Sequence, residues 1–188
     1  MSTKVIRGPR PALPGTHHPK REDIAAMIRV DHAGEFGALC IYEGQLAVMR
    51  PGENAAAIQR MADQERMHFD AFDRMVKDRA VRPTALEPLW RVVGYALGAA
   101  TALMGEKAAM ACTVAAEDVI DEHYAKQIAQ LGESDPELKS AIEKFHQDEC
   151  AHRDEALSRG AEGAPAYPLL ATAIRLSCRI AISLSEKL

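Results

Sequence analysis

One sparse pattern occurs twice in this 188-residue chain and constrains its fold more than any other feature. Glu35 is followed thirty residues on by Glu65-Arg66-Met67-His68, and Glu117 thirty-two residues on by Glu149-Cys150-Ala151-His152. A Glu and a His three positions apart on a helix are separated by about 60° around its axis, so both point to one side. Four such helices packed antiparallel bring four carboxylates and two imidazoles to one buried point. That is the donor set of a carboxylate-bridged pair of iron or manganese ions in a four-helix bundle. The tyrosines extend the repeat, because Tyr42 follows Glu35 by seven residues and Tyr124 follows Glu117 by seven. Seven residues is nearly two turns, about 10 Å of rise, so each tyrosine shares its glutamate's face. A single Glu-x-x-His is common on ordinary helices; two copies in register with two lone glutamates are not. The expected metal ligands are therefore Glu35, Glu65, His68, Glu117, Glu149 and His152.

Bulk properties exclude several classes. Length suits one domain with its own core. A net charge of −4 gives no reason to expect nucleic acid. Cys40, Cys112, Cys150 and Cys178 are scattered without a Cys-x-x-Cys, which argues against a zinc ribbon or iron–sulfur cluster and fits a reducing compartment. Cys150 points about 100° away from Glu149 and is expected to pack. Residues 1–21 carry Lys4, Arg7, Arg10, Lys20 and Arg21 and no apolar run, so a flexible basic N-terminal arm is expected before a single domain over 22–188. They read neither as a signal peptide nor as a transit peptide.

The expected class is all-α, a ferritin-like antiparallel four-helix bundle with additional apolar helix segments. Apolar periodicity and breakers predict helices over about 22–49, 54–79 and 136–159, the last opened by Ser134-Asp135-Pro136. Between 85 and 133 an apolar stretch, Leu89 to Met104, is followed by a more polar segment carrying Glu117, with a bend expected at Gly105. Sixteen helical residues reach about 24 Å, short of the roughly 30 Å hydrocarbon core, so Leu89–Met104 is not expected to span a bilayer. Gly94 and Gly98 permit close helix contact, and Gly34, Gly37 and Gly44 can let a helix or substrate approach the first helix. A last apolar helix, Leu169 to Leu184, carries Arg175 and Arg179 on one face. Either it caps the bundle with its arginines in water, or it lies amphipathically in a membrane interface with them toward headgroups; two apolar segments favour peripheral attachment.

Four carboxylates balance two divalent ions and favour their oxidised pair, while two neutral imidazoles leave positions for oxygen. Zinc sites prefer fewer or closed ligands. Ligating imidazoles usually donate their outer N–H to a carboxylate, and Asp31 and Asp121 stand on suitable faces. His32, three before Glu35, has Val114 at the matching place in the second half and is expected beside the ligands or in solvent, not among them. Tyr42, Tyr124 and His123 are candidate catalytic residues, for passing electrons or protons; core tyrosines and a surface histidine are the plain alternatives. Met61, Met67, Met75, Met104 and Met110 are expected in the core, and Trp90 at a membrane–water boundary or core edge.

Arg29-Val30-Asp31-His32-Ala33-Gly34-Glu35-Phe36-Gly37-Ala38, with Ile41-Tyr42 and Gly44-Gln45, resembles the demethoxyubiquinone hydroxylase family closely. So do Leu97-Gly98-Ala99 through Cys112-Thr113-Val114 and the following Glu117 and His123-Tyr124. The similarity runs over nearly the whole chain after about residue 22. The resemblance implies a ferritin-like protein with two Fe ions per chain and an O2-dependent monooxygenase activity on the ring of a polyprenylated demethoxyubiquinol, in ubiquinone biosynthesis. It also implies the same six metal ligands that the spacing selects. Two electrons must arrive per turnover; no Gly-x-Gly-x-x-Gly is present, so a nicotinamide donor would need an atypical site or a partner. A membrane surface, accessory or other ubiquinone-biosynthesis proteins and a homo-oligomer are the further partners considered, with a bacterial cell membrane's cytoplasmic side as the expected location. The rival expectations are a quinol oxidase of the alternative-oxidase type and a ferritin-like iron-binding protein.

Overall fold

A computed structural model of the chain describes residues 19–188. Its helices are α1 (Arg21–Val48), α2 (Glu53–Asp78), α3 (Glu87–Leu103), α4 (Glu106–Leu131), α5 (Pro136–Ser158) and α6 (Tyr167–Ser185), with a 3₁₀ turn at Ala161–Gly163. No strand occurs among the described residues. The boundaries fall within two or three residues of those expected from periodicity. Most of the expected basic arm, residues 1–18, lies outside the described residues.

Short loops fold α1 against α2 and α4 against α5, and the two hairpins form the four-helix bundle. The apolar helix α3 then packs on α1, and α6 packs on α4. The internal repeat is therefore three helices long: one with a lone glutamate, one with Glu-x-x-His, one apolar. Gly105, with φ of +115°, makes the break between α3 and α4 in a backbone conformation that side chains disfavour. Asp135 caps α5 by accepting from the Leu138 amide at 3.0 Å, with Pro136 opening the helix.

Two apolar clusters fill the bundle's ends. One gathers Tyr42, Ile58, Met61, Met110, Val114 and Ala156, and the other Met27, Ile28, Phe72, Tyr124, Leu138, Ile142 and Phe145. Along every bundle helix the repeated Glu and His positions fall between these clusters, so the core holds a polar layer between two dry ones. Met61, Met75 and Met110 are buried as expected, but Met67 and Met104 are 61% and 48% exposed. Met67 sits between Glu65 and His68, and a helix with those two inward must turn the residue between them partly outward.

Glycine decides how α3 seats on α1. A Cβ on Gly98 would lie 1.9 Å from the Ile41 carbonyl oxygen, and one on Gly44 would lie 2.1 Å from that of Tyr95. Gly94 likewise faces Cys40 and the Gly37 carbonyl. Gly34 and Gly37 would meet nothing within 4 Å and instead line a cleft. The helix α6 packs on the bundle, with Arg179 53% exposed to solvent as the capping expectation has it, but its arginines also pair with α4. Arg175 pairs with Asp118, and Arg179 pairs with Glu122 at 3.0 Å, both on α4. Ala171 and Ile174 bury against Cys112 and Ala115 of α4, and Leu169, Leu176, Ile180 and Leu184 face outside.

Candidate metal centre

The six residues of the doubled pattern meet in the polar layer, each no more than 4% exposed. Two overlapping groups form there: Glu35, Glu65, His68 and Glu149, and Glu65, Glu117, Glu149 and His152. Glu65 and Glu149, the glutamates of the two Glu-x-x-His segments, belong to both groups. The lone glutamates each belong to one. Each group could hold a metal ion, with the shared carboxylates between the two groups and a Glu and a His at either end.

Both imidazoles turn Nδ1 inward. His68 Nδ1 lies 3.0 Å from Glu149 Oε1 and 3.6 Å from Glu35 Oε2, while His152 Nδ1 lies 3.1 Å from Glu65 Oε1 and from Glu149 Oε2. Glu35 Oε2, Glu65 Oε1, His68 Nδ1 and Glu149 Oε1 are all buried without a hydrogen-bond partner. Buried donor and acceptor atoms that crowd one another without well-aligned hydrogen bonds are the atoms a bound cation would satisfy. Carboxylate and imidazole donors at this density suit divalent iron or manganese.

The outer nitrogens identify residues that spacing alone missed. His68 Nε2 faces Asp148 Oδ2 at 3.1 Å, and His152 Nε2 donates to Gln64 Oε1 at 3.0 Å. With Nε2 as the N–H, each Nδ1 presents a lone pair to the centre. The expected partners, Asp31 and Asp121, do not serve this purpose. Asp31 accepts from His123 at 3.0 Å and from Gln127 at 2.9 Å, and Asp121 pairs with His146 and Arg153. A signal for the true partners was present: Gln64 and Asp148 each stand one residue before the glutamate of a Glu-x-x-His. Each serves the histidine of the other half, because α2 and α5 face one another. Asp148→Ala is expected to weaken metal binding about 10- to 100-fold with helix content unchanged, measured by chelator competition. Unaltered affinity would remove Asp148 from this role.

The tyrosines also cross between halves. Tyr42 donates to Glu117 Oε1 at 3.1 Å, and Tyr124 donates to Glu35 Oε1. Each hydroxyl thus holds the lone glutamate of the opposite half. Burial, then the neighbouring carboxylates, pushes both phenols well above their ordinary pKa, so they remain donors. His32 is buried, not solvent-facing; it stacks on Phe69 at 4.7 Å and belongs to neither group. Burial lowers its pKa and keeps it neutral.

Without metal the layer holds on to its protons. Burial, then the Glu65 charge, raises Glu35 from 4.5 to about 8, and burial with Glu149 and Glu65 raises Glu117. Burial lowers His152, but Glu149 and Glu65 outweigh it and raise the imidazole from 6.5 to about 11. Both signs agree. The folded state holds protons that the unfolded chain releases, so metal-free stability falls as pH rises through 4.5–8 for Glu35 and through 6.5–11 for His152. Bound cations would take the place of those protons and flatten the slope. Thermal melts across this range, with and without chelator, should diverge as pH rises; parallel curves would count against metal binding in this layer.

A cleft partly open to solvent leads to the centre from between α3 and α6. Trp90, Val93, Leu97, Ile41, Ile120 and Ile182 line it, and it reaches Glu35, Glu65, Glu117, Glu149 and Tyr124. His123 is on its wall, not at the surface, with a side chain 11% exposed. Trp90 ties α3 to α6 at the cleft by donating to Ser185 Oγ at 2.9 Å.

Comparison with known proteins agrees in extent and kind. The family described as ubiquinone biosynthesis protein COQ7 matches residues 22–185. A 3-demethoxyubiquinol 3-hydroxylase of Rhodospirillum rubrum is 49% identical over 176 residues, covering 93% of this chain and 82% of that protein. The human NADPH-dependent 3-demethoxyubiquinone 3-hydroxylase, mitochondrial, is 49% identical over 172 residues, covering 89% and 79%. A 5-demethoxyubiquinone hydroxylase, mitochondrial, of Saccharomyces cerevisiae is 37% identical over 179 residues, covering 86% and 77%.

Proposed function

The chain belongs to the ubiquinone biosynthesis protein COQ7 family, and from that membership we propose a specific chemistry for its buried centre. It is an enzyme that hydroxylates the ring of a demethoxyubiquinol in ubiquinone biosynthesis. The observation that carries the mechanism is the apolar cleft that ends on two overlapping carboxylate–imidazole groups. Two iron ions held by Glu35, Glu65, His68, Glu117, Glu149 and His152 would supply activation of O2 and delivery of one oxygen atom to the ring. The chain's own groups do the rest. The apolar lining between α3 and α6 takes the polyprenyl tail and keeps water from the ring. Tyr124 and Tyr42 hold the end glutamates in place through Glu35 Oε1 and Glu117 Oε1. Asp31 accepts from His123 Nε2, which leaves Nδ1 as the acceptor atom of a residue on the cleft wall. That nitrogen is suited to take a proton from the quinol hydroxyl.

The deciding experiment incubates the iron-loaded protein with a prenylated demethoxyquinol, O2 and reductant, and reads product mass. One oxygen atom is expected to be gained by the ring. An unchanged ring with O2 reduced to water would mean a quinol oxidase, and tens of irons per chain would mean storage.

Access to a prenylated substrate calls for contact with lipid. Among the described residues, α6 is the one helix long and apolar enough to cross a membrane by length and composition. It packs on α4 through Ala171 and Ile174 and pairs with it through Arg175 and Arg179, which supports a helix lying on a bilayer over one crossing it. Exposed Val92 and Leu103 of α3 join Leu176 and Ile180 of α6 in offering an apolar surface on the two helices that bound the cleft. The position we propose is peripheral, on the cytoplasmic side of a bacterial membrane. Leu176→Asp with Ile180→Asp should reduce liposome flotation severalfold with the melt unchanged; undiminished flotation would take α6 out of the membrane contact.

A further inference from the structure

Outside the buried centre, α4 and α5 bring a second set of unlike donor atoms together. His146 and Cys150 lie four residues apart on α5, one above the other on a single face. Asp121 of α4 meets them. His146 Nε2 lies 2.5 Å from Asp121 Oδ1, and Cys150 Sγ lies 3.9 Å from the same oxygen. One donor atom from each residue falls within 4.8 Å of the others. All three side chains are half-buried, so an ion from solvent reaches them without opening the core. The residues belong to neither of the two Glu/His groups.

We propose that Asp121, His146 and Cys150 form an accessory site for a single divalent cation of the zinc class, with water as the fourth ligand. The donor set selects the ion. A thiolate, an imidazole and one carboxylate oxygen suit Zn²⁺ or Co²⁺, whereas Mg²⁺ and Ca²⁺ require oxygen donors. The thiol proton leaves to solvent as the metal–sulfur bond forms, and the thiolate adds its charge to that of Asp121, which Arg153 shares. Arg153 holds Asp121 Oδ2 at 2.8 Å, which fixes the carboxylate and turns Oδ1 toward His146 and Cys150 for monodentate binding. Metal bonds of about 2.0–2.3 Å place tetrahedral ligand atoms roughly 3.3–3.8 Å apart. His146 must therefore withdraw slightly from Oδ1 and exchange its hydrogen bond for the metal. Side chains 25% and 34% exposed have room to do so. An ion here would clasp α4 to α5, the helices that carry Glu117, Glu149 and His152.

The test uses sulfur as the reporter, since the Glu/His centre contains no cysteine; its outcome is separate from that of the hydroxylase assignment. Iron-loaded full-length protein is titrated with Co²⁺ and followed by near-ultraviolet absorption. A thiolate-to-cobalt charge-transfer band should saturate at one Co²⁺ per chain, vanish on adding Zn²⁺ and persist with Mg²⁺. Cys150→Ser should abolish the band. His146→Ala should shift its midpoint about tenfold or more to higher Co²⁺. Circular dichroism verifies that both variants fold. No band in the wild type, a band surviving in Cys150→Ser, or an unmoved midpoint in His146→Ala would each overturn the proposal.

Discussion

Glu149→Ala abolishes ring hydroxylation and leaves a folded helical protein: this is the largest expected effect on activity. Glu149 belongs to both carboxylate–imidazole groups, with Oε1 3.0 Å from His68 Nδ1 and Oε2 3.1 Å from His152 Nδ1. Its loss removes a donor from both ion positions, whereas loss of Glu35 or Glu117 removes one from a single position. Turnover that needs both ions as a unit should fall below about one-thousandth of wild type. The fold should survive, because the apolar clusters on either side of the polar layer are untouched and carry the packing of the four helices. Glu149→Gln, which keeps the volume, should lose activity similarly and melt no lower than metal-free wild type. Iron content, circular dichroism and product mass are read together. A folded Glu149→Ala protein that retained a tenth of wild-type turnover would defeat the assignment of Glu149 as a shared ligand.

Gly98→Val should produce the largest loss of stability. A Cβ at Gly98 meets the Ile41 carbonyl oxygen at 1.9 Å, its carbon at 2.8 Å and the Gln45 amide nitrogen at 3.0 Å. These are backbone atoms of α1 and cannot rotate away, so α3 must move off by more than about 1 Å, losing packing along its length. Overpacking usually costs about 1–3 kcal/mol when side chains can adjust, and backbone against backbone belongs at or beyond the upper end. At about 2–4 °C per kcal/mol for a chain of this size, the melting temperature should drop by roughly 6–12 °C. Gly34→Ala is the internal control. It meets nothing within 4 Å and removes a helix-interior glycine, so stability should hold or rise by up to about 1 kcal/mol. If both variants melted alike, close contact between α1 and α3 would not be what Gly98 serves.

The residues of the metal layer were legible because helix periodicity is a local rule. Once Glu65 and His68 lie three apart on a helix, their common direction follows, and the same holds for Glu149 and His152. The partners of those residues were not legible in the same way. Tyr124 shares a face with Glu117 yet bonds Glu35, and Gln64 precedes Glu65 yet serves His152. Such pairings depend on which helices become neighbours, and periodicity along one helix carries no such information. Asp31 and Asp121 were equally plausible by spacing, but α4 places His123 and Gln127 against one, and α5 places His146 against the other.

The apolar helices divide the same way. Their existence and length could be read from composition, and so could the small residues at Gly94 and Gly98. The direction of Arg175 and Arg179 could not, since an exposed arginine and a paired one have identical sequence patterns. They pair with Asp118 and Glu122, and the leucine face of α6 points outward.

By itself, then, the sequence determined the helices, the inward direction of six Glu and His side chains and, through its resemblance to known hydroxylases, the reaction of the chain. Tertiary structure alone decided that the tyrosines and outer partners cross between halves, that Glu65 and Glu149 are the shared carboxylates, and that a cleft opens between α3 and α6. Direction around a helix is set by 3.6 residues per turn within one segment. Contact between helices is set by packing segments distant in sequence, and only the folded chain brings those together.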